Sequence, residues 1–300
     1  MGMDKILVTG ANGQLGSELR ELFSAKSINN VLFTDQAELD ITCKDAVLSF
    51  LKSNNISIII NCAAYTAVDK AEDEPVICKA VNSLAPGILA DASAALGIFL
   101  IHISTDYVFD GKGPVPYKED HPAAPAGVYG MTKLWGEQAI AKSGANYIII
   151  RTSWLYSVYG NNFAKTILRL AQERESLNVV FDQVGTPTYA ADLAAIIENI
   201  VNRIMHSLKN GVKSEVSSGI YHFSNEGVCS WFDFATEIVK LSGSNCRVHP
   251  VTSDLFPAKA KRPSYSVLDK TRIKGMTALE IPYWRDSLKL FFNKLQKLNK

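Results

Sequence analysis

Little in this 300-residue chain suggests covalent cross-linking or attachment to a charged or lipid surface. Its five cysteines, Cys43, Cys62, Cys78, Cys229 and Cys246, are odd in number and scattered, with no Cys-x-x-Cys pair. That pattern argues against a disulfide framework and suggests the reduced, mostly packed thiols of a cytoplasmic protein. No apolar run reaches the roughly 18 residues of a membrane span, and no signal-peptide pattern precedes the first apolar segment. A net charge of only +1 offers no general attraction to nucleic acid or to a membrane surface. The charge is uneven, since residues 251–300 hold eleven Lys or Arg against four Asp or Glu. Lys289, Lys294, Lys297 and Lys300 read as a solvated helix and tail. There are no internal repeats or low-complexity segments, which removes solenoid and fibrous architectures.

What is present is a sizeable apolar fraction, 47% of residues, enough for one large domain or two unequal ones. The segment Lys5-Ile6-Leu7-Val8-Thr9 is a short β-branched run, followed by Gly10-Ala11-Asn12-Gly13-Gln14-Leu15-Gly16 and a helical pattern through Leu19, Leu22 and Phe23. Strand, tight turn and helix in this order read either as a plain strand-to-helix connection or as a phosphate cradle. Gly10 permits unusual backbone angles, Gly13 lets a diphosphate reach backbone N–H groups, and Gly16 allows close packing of helix on strand. A second strand, Asn30 to Thr34, ends in Asp35, where a carboxylate would meet an adenosine ribose hydroxyl.

Strand-like and helical runs then alternate, which predicts a doubly wound parallel α/β sheet. Ile56–Ala64, Ile98–Ser104 and Tyr147–Thr152 are continuously apolar, as strands buried on both faces should be. Each ends in small or polar residues. Ligands in such sheets sit beyond the carboxyl ends of the strands, so these ends and the Gly10 turn should line one crevice. Past Trp154 the pattern is of helices with irregular connections: Asn161–Gln172, Tyr189–Leu208, Ser230–Leu241 and Tyr283–Leu298. Lys209–Gly219 reads as an exposed loop and Ile220–Ser224 as a further strand. The expected division is a first domain over 1–153 and a smaller carboxyl-terminal lobe over 154–300, with part of 185–224 returning to the first domain.

Tyr129-Gly130-Met131-Thr132-Lys133 places a phenol and an ammonium four residues apart on one helical face. Alone the spacing fits a solvated surface pair. Beside the glycine turn and Ser104-Thr105-Asp106-Tyr107 it fits a tuned acid, because a nearby ammonium stabilises phenolate and lowers the phenol's pKa.

These three features resemble the extended short-chain dehydrogenase/reductase superfamily, which has a Rossmann-like fold with a carboxyl-terminal substrate lobe. Asn61–Glu72, Ser104–Gly111, Arg151–Trp154 and Gly160–Lys165 narrow the resemblance to its dTDP-4-dehydrorhamnose reductase family, and the likeness runs from Ile6 to beyond Arg262. The resemblance implies reduction of the 4-keto group of dTDP-4-dehydro-L-rhamnose by NADH or NADPH. In that scheme Tyr129 donates a proton, Lys133 binds the nicotinamide ribose and lowers the Tyr129 pKa, and Thr105 hydrogen-bonds the carbonyl oxygen. Cofactor contacts would be Gly10, Gly13, Gln14, Leu15, Gly16, Asp35, Asp40, Ile41, Ala63, Ala64 and Tyr65, together with Tyr129 and Lys133. Thr66, Val68, Thr105, Asp106, Tyr107 and Trp154 would shape the sugar end of a dTDP-sugar site, with Asn162 and Arg262 nearer the nucleotide. Asp35 should repel a 2′-phosphate, and no Arg or Lys follows it before Lys44, so NADH is the expected preference with NADPH tolerated.

A sugar-nucleotide 4,6-dehydratase would share the fold but commonly has an Asp-Glu pair after the threonine, where Tyr107 follows Asp106 here. An epimerase and a regulatory subunit similar to the β subunit of methionine adenosyltransferase are the other readings. Some family members dimerise through Mg²⁺ held partly on the helix after a Gly-x-Pro-Thr segment, here Gly185-Thr186-Pro187-Thr188. That helix begins Tyr189-Ala190-Ala191-Asp192 with an incomplete acidic pair. The expectation is therefore a metal-independent enzyme, a monomer or a homodimer without a metal bridge.

Overall fold

The computed structural model describes residues 4–212, 215–256 and 258–298. Lys213 and Ser214 of the polar 209–219 stretch and Lys300 of the basic tail lie outside the described residues. Five strands, β1 (Lys5–Thr9), β2 (Val31–Thr34), β3 (Ile56–Asn61), β4 (Phe99–Thr105) and β5 (Asn146–Thr152), join a sixth, Gly219–His222, in one sheet. From one edge the order is Gly219–His222, β5, β4, β3, β1, β2, and every pairing is parallel. The order turns back at β1, so the crevice between the carboxyl ends of β1 and β3 is the place where such a sheet takes a ligand.

The unbroken apolar runs follow from burial of both sheet faces, since successive side chains in a strand point opposite ways. Ile6, Val8, Ile58, Ile60, Ile101, Ile148 and Ile150 pack with Leu15 and Leu19 of helix Gln14–Ala25 and with Leu193, Ile197 and Ile200 of helix Ala190–Asn210. Leu7, Ile59, Leu100 and Ile149 face Val47 and Leu51 of helix Lys44–Asn54 and Leu89 of helix Ala85–Leu96. After Trp154 the chain thus leaves the sheet and returns to it through Ala190–Asn210 and Gly219–His222.

A second core lies beyond the sheet. Ile167, Phe234, Ile238, Leu288 and Phe291, from helices Phe163–Glu173, Trp231–Ser242 and Trp284–Leu298, pack around Tyr156 and Leu177. The connections between these helices are less irregular than the sequence pattern suggests, because Ser176–Val180 pairs in parallel with Arg247–Val251. Neither strand is an apolar run, and their pairing joins segments far apart in the chain. Two of the helices start later than expected because polar residues cap them: Asn162 Oδ1 accepts from Lys165 N at 3.1 Å, and Ser230 forms a capping box with Asp233. Lys294 is not a solvated tail residue. Its ammonium lies 2.5 Å from carboxylate oxygens of both Glu18 and Glu21, tying the last helix to the first.

Candidate active site

The glycine turn is shaped by close approach. Gly10 has φ +63°, and a Cβ there would lie 2.6 Å from Ala63 N, so only glycine lets the end of β1 meet the end of β3. A Cβ on Gly16 would lie 2.5 Å from Gly10 O, and its absence allows helix Gln14–Ala25 to start against the turn. Gly13 precedes that helix and no side chain caps it. Its first N–H groups are thus available to an anion at the positive end of the helix dipole, which fits the diphosphate of a dinucleotide.

Two adjoining cavities open from this turn and share Gly10, Gly13, Cys62 and Ala64. The smaller, of about 390 Å³, is lined by the expected cofactor residues Asp35, Asp40, Ile41, Ala63 and Tyr65. Asp35 holds the loop there, its oxygens accepting from Asn12 N at 3.1 Å and Gln36 N at 2.9 Å, with lone pairs left for a further donor. Asp40 is engaged by Thr42, whose hydroxyl (2.6 Å) and N–H (2.9 Å) hold its carboxyl below the usual range. The Tyr65 hydroxyl donates to Glu74, which pushes that phenol up to about 12.

The larger cavity, of about 550 Å³, gathers Gln14, Leu15 and Gly16 on one side and Thr66, Val68 and Tyr107 on another. Between them Thr105, Asp106, Tyr129 and Lys133 converge. Tyr129 and Lys133 come from helix Val128–Lys142, which packs so closely on the loop after β4 that a Cβ on Gly130 would lie 2.2 Å from Tyr107 O. Burial pushes the Tyr129 phenol above its ordinary value, a hydrogen bond with the Thr105 side chain works against that rise, and the charge of Asp106 adds to it. Asp106 is itself pushed up to about 7 by burial, although Thr105 Oγ1 donates to its Oδ1 at 3.0 Å.

Lys133 departs from the expected picture. Its Nζ donates to Ile103 O at 2.6 Å and sits 3.2 Å from His102 Nε2. Burial brings its pKa down to about 8, with the charge of Glu137 opposing. As the site stands, burial raises the Tyr129 phenol, where a lowering by Lys133 was expected. The helical spacing puts the two residues on one face, but the lysine's reach carries its charge to the strand ends beneath.

Trp154 lines the larger cavity and also packs in the second core. Its backbone is left-handed, at φ 50°, and its indole stacks on Trp231 with ring centres 3.6 Å apart. Asn162 reaches the same cavity while serving as a helix cap and donating to Gln14 Oε1 at 2.9 Å. Arg262 stands apart from these residues. It pairs with Asp69 at 2.7 Å and lines a neighbouring cavity of about 820 Å³, with Phe163, Thr166, Gln183 and Trp231. The sequence reading overlooked Asn61, His102 and Trp231. His102 could have been found, since it lies two residues before Ser104 on β4 and so on the same sheet face.

Among the described residues no group of three or more His, Cys, Asp or Glu could hold a metal ion, and no helix is long and apolar enough to cross a membrane. The family model described as "RmlD substrate binding domain" matches residues 3–297. A dTDP-4-dehydrorhamnose reductase of Sinorhizobium fredii is 39% identical, covering 94% of this chain and 95% of that protein. The crystal structure of a dTDP-4-dehydrorhamnose reductase from Clostridium acetobutylicum superposes with a TM-score of 0.89 at 41% identity, covering 97% of this chain and 99% of the other. That of a Bacillus anthracis dTDP-4-dehydrorhamnose reductase in complex with NADP gives 0.89 at 40% identity, covering 98% and 100%.

Proposed function

Since the chain belongs to the RmlD substrate-binding-domain family, that of the dTDP-4-dehydrorhamnose reductases, we propose which of its residues perform the family's reaction. It is an NAD(P)H-dependent oxidoreductase of dTDP-rhamnose biosynthesis. When bound, the nicotinamide supplies the hydride for the 4-keto carbon of dTDP-4-dehydro-L-rhamnose. Tyr129, kept protonated by burial, donates the proton to the oxygen that would otherwise become an alkoxide. Thr105, already bonded to that phenol, would turn its one hydroxyl proton from Asp106 to the same oxygen and stabilise its developing charge. Lys133 holds the nicotinamide ribose.

The uncapped N-terminus of helix Gln14–Ala25 holds the diphosphate, with Asp35, Asp40 and Ile41 around the adenosine. Asp35 favours NADH, with NADPH accepted. The sugar of a dTDP-sugar occupies the larger cavity against Val68, Tyr107 and Trp154, and its nucleotide extends towards Arg262 and the neighbouring cavity. In this reading residues 1–153 are the cofactor-binding unit and 154–300 mainly the substrate lobe, in a cytoplasmic enzyme that is a monomer or a metal-free homodimer.

The convergence of Thr105, Tyr129 and Lys133 on the cavity that begins at the Gly10 turn carries this reading. Incubation with dTDP-4-dehydro-L-rhamnose and NADH should consume the reduced cofactor and yield dTDP-L-rhamnose. Binding of cofactor without turnover would overturn it and favour a regulatory protein.

A further inference from the structure

Thr9, Asn61 and His102 stand side by side as register partners on β1, β3 and β4, and Lys133 reaches the end of this row from the helix above. All four are buried. Their hydrogen bonds allow one arrangement of protons. Asn61 Oδ1 accepts from Ala63 N at 3.2 Å and from the Thr9 hydroxyl at 2.7 Å. A backbone N–H can only donate, so the Asn61 amide cannot be turned round, and Nδ2 is the atom facing His102 Nδ1 at 3.0 Å. Nδ2 also only donates, so His102 Nδ1 is an acceptor and the neutral ring carries its proton on Nε2. That N–H points at Lys133 Nζ, 3.2 Å away, whose other partner is the Ile103 carbonyl at 2.6 Å. An amine has a lone pair to receive it; an ammonium has none.

We propose that His102 is a positioning residue for Lys133: fixed by Asn61 as the Nε2–H tautomer, it favours the amine form of Lys133, so that this lysine exchanges a proton with the site instead of remaining a permanent cation. The inference rests on the reading of Lys133 as the lysine that meets the cofactor. The surroundings agree with it. Burial holds His102 well below its ordinary value, so the ring stays neutral. Lys133 is brought down to about 8 by burial. The groups facing it are Glu137, one turn along its own helix and neutralised by Arg151, and the thiols of Cys62 and Cys78. The Cys62 thiol is pushed up to about 12 by burial and so is uncharged. Cofactor ribose hydroxyls that accept from the ammonium would raise the lysine's proton affinity, so cofactor binding should take up a proton.

Nitrogen-15 NMR of the cofactor-free protein, with histidine labelled, reads the tautomer directly. The expected result is a neutral His102 ring, protonated on Nε2 and bare on Nδ1, through the neutral pH range. Calorimetric titration with NADH in buffers of different ionisation enthalpy should then show uptake of up to roughly half a proton near pH 8. In Asn61→Asp the carboxylate accepts Nδ1–H and turns Nε2 into an acceptor, so Lys133 stays charged and the uptake should vanish. An Nδ1–H tautomer, an imidazolium, or equal uptake in wild type and Asn61→Asp would overturn the proposal. If Asn61→Asp does not fold, the wild-type NMR result decides. Absence of turnover on the dTDP-sugar would sink the reductase reading while leaving the tautomer measurement intact.

Discussion

Tyr129 is buried beside Thr105 and Asp106, and burial has the same consequence for the phenol and the carboxyl: each keeps its proton to a higher pH than in water. For Tyr129 this suits a proton donor. Tyr129→Phe removes the acid while leaving the ring, so turnover should fall by about 10²–10⁴, with nucleotide binding nearly intact. Steady-state assays paired with calorimetric NADH titration check this, and unchanged turnover would remove Tyr129 from the mechanism. For Asp106 the consequence falls on stability. Its pKa rises from 3.8 unfolded to about 7 folded. Between those values the unfolded chain has released the proton and the folded protein still holds it. Stability therefore falls as pH rises from about 4 to about 7, and this contribution is flat above that window. Asp106→Asn should remove that part of the slope. Urea midpoints at the two ends of the window, compared between wild type and variant, measure it.

The helix Val128–Lys142 positions both Tyr129 and Lys133, and a buried ion pair fixes it to the sheet. Glu137 accepts from Arg151 Nη2 at 2.6 Å and Nε at 2.9 Å on β5, and from Ser104 Oγ at 2.5 Å on β4. Both ionic side chains are almost fully buried, so truncating one leaves the other charge uncompensated in a dry setting. Glu137→Ala should cost about 3–5 kcal/mol, read from urea unfolding. Turnover should also fall, because the helix loses its anchor one turn past Lys133. A loss below about 1 kcal/mol would mean that water reaches Arg151 freely.

This element also shows what could be read from residue order. The sheet strands were legible because both faces are buried and the apolar runs are unbroken, and the Tyr129 to Lys133 spacing placed both residues on one face. The orientation of the lysine was not legible, because it depends on His102, 31 residues away in the chain, whose neighbours are fixed only by strand register. The pairing of Ser176–Val180 with Arg247–Val251 was missed for a similar reason. A half-exposed five-residue strand containing a proline carries no apolar signal, and its partner is distant. Trp154, expected at the sugar end of the site, lines the cavity and also joins the second core through the stack of its indole on Trp231.

Over the whole molecule, the carboxylates Glu18, Glu21 and Asp192 are already engaged by the chain itself. Glu18 is buried and accepts from Ser157 Oγ and Lys294 Nζ, each at 2.5 Å. Lys294 also reaches Glu21, which accepts from Tyr159 Oη at 2.8 Å. Asp192 Oδ2 accepts from Asn225 Nδ2 at 2.6 Å and from Ser287 Oγ at 2.5 Å, joining the helix that returns to the sheet with the last helix of the chain. A hard dication needs several oxygen ligands, and here it would have to displace an ammonium held between two carboxylates and break the bonds on a third. The last helix therefore closes against the first through a cation supplied by Lys294, and assembly should not depend on a metal. NADH turnover and the mass from light scattering should be unchanged by EDTA and by added Mg²⁺. Dissociation together with lost activity on chelation, restored by Mg²⁺, would show that carboxylates on this surface do share a metal.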